Sequence, residues 1–144
     1  MKVLVCGSRD IDDRNVIYSA IRESPFDADT IICSNESGVG LIASKYAALN
    51  PDIDVESHPI PEWVWEQIGS KSGPLRNGYM VEQADAVIAV RGGESHRSKY
   101  TIAQAEADGL SVYKVMCEQY EDRGWVIERE QLIEDYQADL HEFC

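Results

Sequence analysis

Four short polar segments of this chain combine arginine, asparagine, hydroxyl and glycine residues. They read G-S-R-D (7–10), S-N-E-S-G-V-G (34–40), S-K-S-G-P-L-R-N (70–77) and R-G-G-E-S-H-R-S-K (91–99). Arginine presents a planar fork of N–H donors that fits a phosphate or a carboxylate, and glycine lets a ligand approach the backbone closely. These residue types therefore indicate a site for a small anionic molecule, provided that the fold brings the segments together.

The first segment follows an apolar run that ends abruptly at Gly7. Arg9 would bind the anion, the Ser8 hydroxyl would donate a hydrogen bond, and the next helix would offer N–H groups at its N-terminus. The alternative is an ordinary joint between a strand and a helix, in which Asp10 or Asp12 caps the helix. The residues alone leave both interpretations open.

The third segment is the most unusual of the four. Gly73 and Pro74 predict a turn, after which Arg76 and Asn77 would open a helix. An arginine beside an amide suits an oxyanion together with a base or a ribose, although Asn77 could equally cap the helix. We favour the functional interpretation for this pair, because binding residues concentrate on loops that a rigid scaffold positions.

The second and fourth segments have the composition of anion-binding loops. Ser37 and Gly38 would belong to a cradle of backbone N–H groups, or Ser37 would simply cap the following helix. Gly92 and Gly93 predict a turn, after which Ser98 lies near the start of a helix.

The elements that would position these segments alternate between strands and helices. The predicted strands cover 2–6, 30–33, 54–58, 86–90 and 111–116, and the predicted helices cover 12–23, 40–50, 75–84 and 98–109. This alternation predicts an α/β fold, a Rossmann-like doubly wound parallel sheet of about five strands. Ligands of such sheets bind outside the carboxyl ends of the strands, which is the edge that all four segments would share.

The end of the chain predicts a C-terminal helical extension. We expect a Rossmann-like domain over 1–116 and an acidic extension over 117–144, packed on the same domain or on a dimer partner. A short apolar run at 125–127 precedes an amphipathic pattern at 128–143, which predicts a helix. Trp63 and Trp65 are expected to pack in the core or in a dimer interface, and the alternative is that they stack on a base or line a pocket.

Composition narrows the possible partners. The 144 residues include 26 acidic and 13 basic side chains, for a net charge of −13, which disfavours nucleic acid as a partner. No apolar run is long enough to span a bilayer and no signal peptide is recognisable, so we expect a cytoplasmic protein without a membrane partner. The four cysteines are widely spaced, which predicts free thiols and no metal site.

The order of these motifs resembles the SLOG superfamily of nucleotide-binding Rossmann-like proteins, in particular its small YspA-like branch. Residues 7–10 match the G-S-R-D that opens that branch, and residues 73–80 match its G-P-x-R-N-x-x-M motif. The resemblance covers residues 1–116. It implies that these segments bind a nucleotide-type small molecule and that the protein forms a homo-oligomer, most simply a dimer.

The departures from the family bear on activity. The second loop lacks the arginine and aspartate of the family's G-G-A-R-G-A-D, and Arg97-Ser98 stands where the family has Gly-Thr. Related N-glycosidic enzymes carry a catalytic glutamate at the position that aligns with Thr101, and threonine cannot supply a carboxylate. Asp10 and Glu94 are the candidates for a replacement.

The leading hypothesis is therefore binding of a nucleotide or a nucleotide-derived ligand, such as an ADP-ribose species, for sensing or sequestration. A second hypothesis is an enzyme that hydrolyses or transfers an N-glycosidic bond of a nucleotide. A third is an acidic protein-interaction module with a vestigial ligand site. None of the three calls for a cofactor.

Overall fold

A six-stranded sheet forms the centre of the part of the chain that the structure, a computed structural model, describes. That part comprises residues 1–36, 38–92 and 96–133, with only the backbone of residues 96–98. The strands are β1 (Lys2–Gly7), β2 (Thr30–Cys33), β3 (Asp54–Ser57), β4 (Ala86–Gly92), β5 (Ser111–Tyr120) and β6 (Gly124–Ile133). The helices are α1 (Arg14–Glu23), α2 (Val39–Ala48), α3 (Glu62–Ile68), α4 (Ser72–Gln83) and α5 (His96–Ala107).

The strand order confirms the predicted fold class. The sheet runs β3-β2-β1-β4-β5-β6, with β1 to β5 parallel and β6 antiparallel to β5. Strands β2 and β3 follow β1 on one side of it, whereas β4, β5 and β6 lie on its other side. In doubly wound sheets, ligands bind outside the carboxyl ends of the strands near such a reversal of strand order.

Alternating side chains of the buried strands build two separate hydrophobic cores. Val3 and Val5 point to the face covered by α1 and α2, whereas Leu4 points to the face covered by α4 and α5. Ile17 on α1 and Met80 on α4 are buried on their respective faces. Both faces of the sheet are therefore covered, as its continuous apolar strands require.

The predicted C-terminal helix is wrong over residues 128–133, which lie in β6. Gly124 adopts a positive φ of 71° at the turn that follows β5, and the chain then returns antiparallel to β5. Trp125 is buried with its ring against Gly92, where a Cβ atom would collide with it. Pairing with β5 and burial of this indole outweigh the helical pattern of the polar residues that follow. Strand β5 itself runs past residue 116, and residues 134–144 lie outside the described residues.

Gly73 and Pro74 do not form the predicted turn, because both lie in the first turn of α4. A 3-10 turn at Gly69–Lys71 joins α3 to α4, and the helix begins at Ser72. Proline is tolerated there since the first amides of a helix have no partner within it. Arg76 and Asn77 consequently lie one turn inside the helix rather than at its start.

The two tryptophans of α3 lie on the surface of the chain. Trp63 is 64% exposed and Trp65 is 49% exposed, so the prediction of a core position is wrong for both. Their alternative role in a dimer interface stays a prediction. Within the described ranges, none of the helices combines the length and the apolar character that crossing a bilayer requires.

Candidate functional site

A small cleft opens at the carboxyl ends of β1 and β2, between their loops and helices α4 and α5. Its volume is about 50 Å³. We call it the charged cleft, and its walls include Gly7, Arg9, Glu36, Arg76, Asn77 and Thr101. The fold thus brings the first three polar segments to one point of the sheet edge.

Arg76 is held in a single orientation at the charged cleft. Its side chain is only 11% exposed. Its Nε donates a hydrogen bond to Asn77 Oδ1 at 2.8 Å, and its Nη1 donates to the His58 carbonyl oxygen at 3.1 Å. Because these acceptors fix the plane of the guanidinium, little side-chain entropy remains to be lost when the group binds an anion.

Glu36 lines the charged cleft but was not among the residues predicted from the sequence. Its Oε1 lies 2.9 Å from Arg76 Nη1 and its Oε2 lies 3.4 Å from Arg9 Nη2, so one carboxylate joins the two arginines. Among the described residues that line the charged cleft, it carries the one carboxylate. The available signal was the glutamate in the second polar segment, where the resembled family has G-G-A-R-G-A-D.

A second pocket adjoins the charged cleft between α4 and α5. Its volume is about 280 Å³, near the lower end of typical ligand pockets. Pro74, Tyr100 and Gln104 line it, and Asn77 and Thr101 belong to both cavities. We call it the neutral pocket, because the described residues that line it include no acidic or basic side chain.

Ser8 stabilises the sheet edge rather than lining the charged cleft. The residue is fully buried, and its Oγ accepts a hydrogen bond from the Gly92 N–H at 3.0 Å. The same hydroxyl donates to the Gly92 carbonyl oxygen at 3.3 Å. These two hydrogen bonds therefore join the end of β1 to the end of β4.

The first amides of α1 are occupied by the chain itself. Asp13 is the N-cap, and its Oδ1 accepts from the N–H groups of Asn15 and Val16 at 2.9 and 3.4 Å. The prediction that Asp10 or Asp12 caps this helix is therefore wrong. Asp10 is exposed and does not line the charged cleft.

Gly38 holds the second loop against the first. It caps the start of α2 with a φ of 77°, and a Cβ atom at this position would collide with the backbone of Arg9. Val39 N–H also donates to the Ser8 carbonyl oxygen at 3.4 Å. A glycine is thus needed here for close packing of two loops.

The remaining predicted residues fall outside the cleft or outside the described part of the chain. Gly73 is buried in α4 and Gly92 is covered by Trp125. The residues that lie outside the described part are Ser37, Gly93, Glu94 and the side chain of Ser98. Within that part, His, Cys, Asp and Glu side chains form no group of three or more suited to a metal ion.

Cys6 lines the charged cleft as an unreactive thiol. Burial raises its pKa to about 12, an effect that the nearby Arg91 charge only partly offsets. A thiol with such a pKa remains protonated at neutral pH and is a poor nucleophile. Cys6, Cys33 and Cys117 are free thiols, as the sequence predicts, and Cys144 lies outside the described residues.

Comparison with protein-family models, with curated proteins and with solved structures finds no match to this chain. The SLOG resemblance therefore stays a prediction that depends on the two motifs at 7–10 and 73–80.

Proposed function

We propose that this protein binds a nucleotide or a nucleotide-derived ligand, such as an ADP-ribose species, and serves to sense or sequester it. The observation that carries the proposal is Arg76, a guanidinium held by Asn77 and His58 inside a cleft at the carboxyl edge of the sheet. A partly buried, oriented arginine is the group that recognises phosphate best, because it forms charge-assisted bonds at low entropic cost.

The two adjoining cavities match the two chemical parts of a nucleotide. A phosphate would contact Arg9 and Arg76 in the charged cleft. A base would lie in the neutral pocket, where Tyr100, which is 77% exposed, offers an aromatic face for stacking. The amides of Asn77 and Gln104 would donate to and accept from the polar edge of the base or ribose.

Binding without turnover is the form of the function that we favour. Thr101 is buried at the junction of the two cavities, and a threonine hydroxyl is a weak nucleophile unless a base activates it. Glu36 is engaged by two arginines, which leaves its carboxylate badly placed to attack a sugar carbon.

The experiment is a titration of the purified protein with mononucleotides, nicotinamide dinucleotide, ADP-ribose and cyclic nucleotides, with mass spectrometry of bound and released species. Arg76→Ala should weaken the binding of phosphorylated ligands by about 10- to 100-fold, since it removes charge-assisted hydrogen bonds. Arg22→Ala is the matched control, because this exposed arginine on α1 lies away from both cavities.

Each outcome selects one of the hypotheses. An intact ligand whose affinity depends on Arg76 supports the proposal and names the ligand class. A released base or a new sugar phosphate would instead identify an N-glycosidic enzyme. Absence of both bound ligand and product would contradict both ligand functions and favour an acidic interaction module.

A further inference from the structure

The Glu36 carboxylate contacts both arginines of the charged cleft. We propose that Glu36 is a specificity-determining residue, an internal carboxylate that competes with the ligand for Arg9 and Arg76 and thereby admits only phosphate groups of higher charge. The inference rests on the proposed function and specifies which ligands would bind in the charged cleft.

The contacts of Glu36 have the pattern expected of a bound anion. One oxygen faces Arg76 at 2.9 Å and the other faces Arg9 at 3.4 Å, so the carboxylate spans two guanidinium groups contributed by different loops and helices. Arg76 and Glu36 are 40 positions apart in the chain, so local sequence does not enforce the pairing.

The small volume of the charged cleft follows from this arrangement. At about 50 Å³ the cleft holds little more than a few water molecules, whereas the adjoining neutral pocket is larger at about 280 Å³. A phosphate would therefore have to take the place of the Glu36 carboxylate. The displaced side chain has a path outward, since it is 27% exposed while its partner Arg76 is only 11% exposed.

Competition inside one molecule sets a threshold of charge. The apparent affinity of a ligand is its intrinsic affinity multiplied by the fraction of protein in which Glu36 has left the arginines, so affinity is low while Glu36 holds them. A ligand carboxylate has the same charge as Glu36 and gains little from the exchange. A phosphate dianion or a pyrophosphate forms more charge-assisted bonds with the same two groups and can displace it.

The test compares wild-type protein with Glu36→Gln, which keeps the shape of the side chain and removes its charge. Isothermal titration should show ADP-ribose binding about tenfold more tightly to Glu36→Gln, because the competing anion is gone. Adenosine, which lacks phosphate, should bind both proteins equally. Glu82→Gln is the matched control, since it makes the same change of net charge at an exposed position of α4.

Inorganic pyrophosphate provides a readout that does not depend on nucleotide recognition. It should raise the melting temperature of Glu36→Gln more than that of wild type, and ligand-free melting of the variant verifies that it is folded. Equal or weaker binding of ADP-ribose and pyrophosphate by Glu36→Gln would overturn the inference and make Glu36 a structural partner of Arg76. A selective gain with pyrophosphate in the absence of any nucleotide binding would instead support the inference and refute the proposed function.

Discussion

Ser8 shows how one hydroxyl can be mistaken for a ligand donor when only its sequence position is known. It belongs to the G-S-R-D segment at the functional edge, yet its hydroxyl exchanges two hydrogen bonds with the Gly92 backbone. Ser8→Ala would leave those backbone groups without this buried partner. We expect a loss of about 1 to 3 kcal/mol in the free energy of unfolding, measured by urea denaturation, with nucleotide affinity retained.

Ser19→Ala is the control for this prediction, because Ser19 is a partly buried helical residue of α1 and alanine favours helix. A stable Ser8→Ala protein with weakened nucleotide binding would return Ser8 to the ligand site.

At the residue scale, the sequence predicted which residues meet at the sheet edge better than it predicted the contacts between their side chains. Arg9, Arg76 and Asn77 were predicted to lie together at the sheet edge, and all three line the charged cleft. Glu36 could not be predicted there, since a glutamate in a polar loop is ordinarily a solvated charge. Its role arises only when the fold brings the loop after β2 against α4.

At the scale of elements, β6 belongs to the sheet and not to an appended helix. Its Trp125 is 8% exposed and packs in the core that α1 covers. Trp125→Ala should lower the free energy of unfolding by about 3 to 5 kcal/mol through lost burial and the cavity left behind. Trp63→Ala removes the same side chain from a site that is 64% exposed, and should cost less than about 0.5 kcal/mol.

Thermal denaturation measures both variants. An equal loss in the free energy of unfolding for the two tryptophan variants would contradict the placement of β6. The sequence predicted β1, β2, β4 and β5 because each is a largely apolar run. It predicted β3, which has Val55 as its one apolar residue, from the alternation of strands and helices. It missed β6 because Glu128 to Glu130 are charged residues that favour helix when alone. Pairing with β5, a tertiary interaction, decides their conformation.

At the scale of the whole molecule, four buried groups among the described residues link folding to alkaline pH. One of them is Cys33, because burial raises the pKa of its thiol. Burial raises the pKa of the Cys6 thiol to about 12 and that of the Cys117 thiol to about 11. Burial and a hydrogen bond to Glu130 raise the pKa of Tyr113 to about 12. In the unfolded chain these groups lose their protons at lower pH, because the usual pKa is about 8.5 for cysteine and about 10 for tyrosine.

Because the folded state retains protons that the unfolded state releases, the stability from these groups is complete below about pH 8.5 and is lost as pH rises toward 12. Urea midpoints should therefore fall steadily from pH 8.5 to 11. A Cys6→Ala, Cys117→Ala protein starts from a lower midpoint, since it leaves cavities, but its midpoint should fall less steeply over the same range. An equally steep fall would assign the alkaline loss to other groups, such as the repulsion that a net charge of −13 already implies.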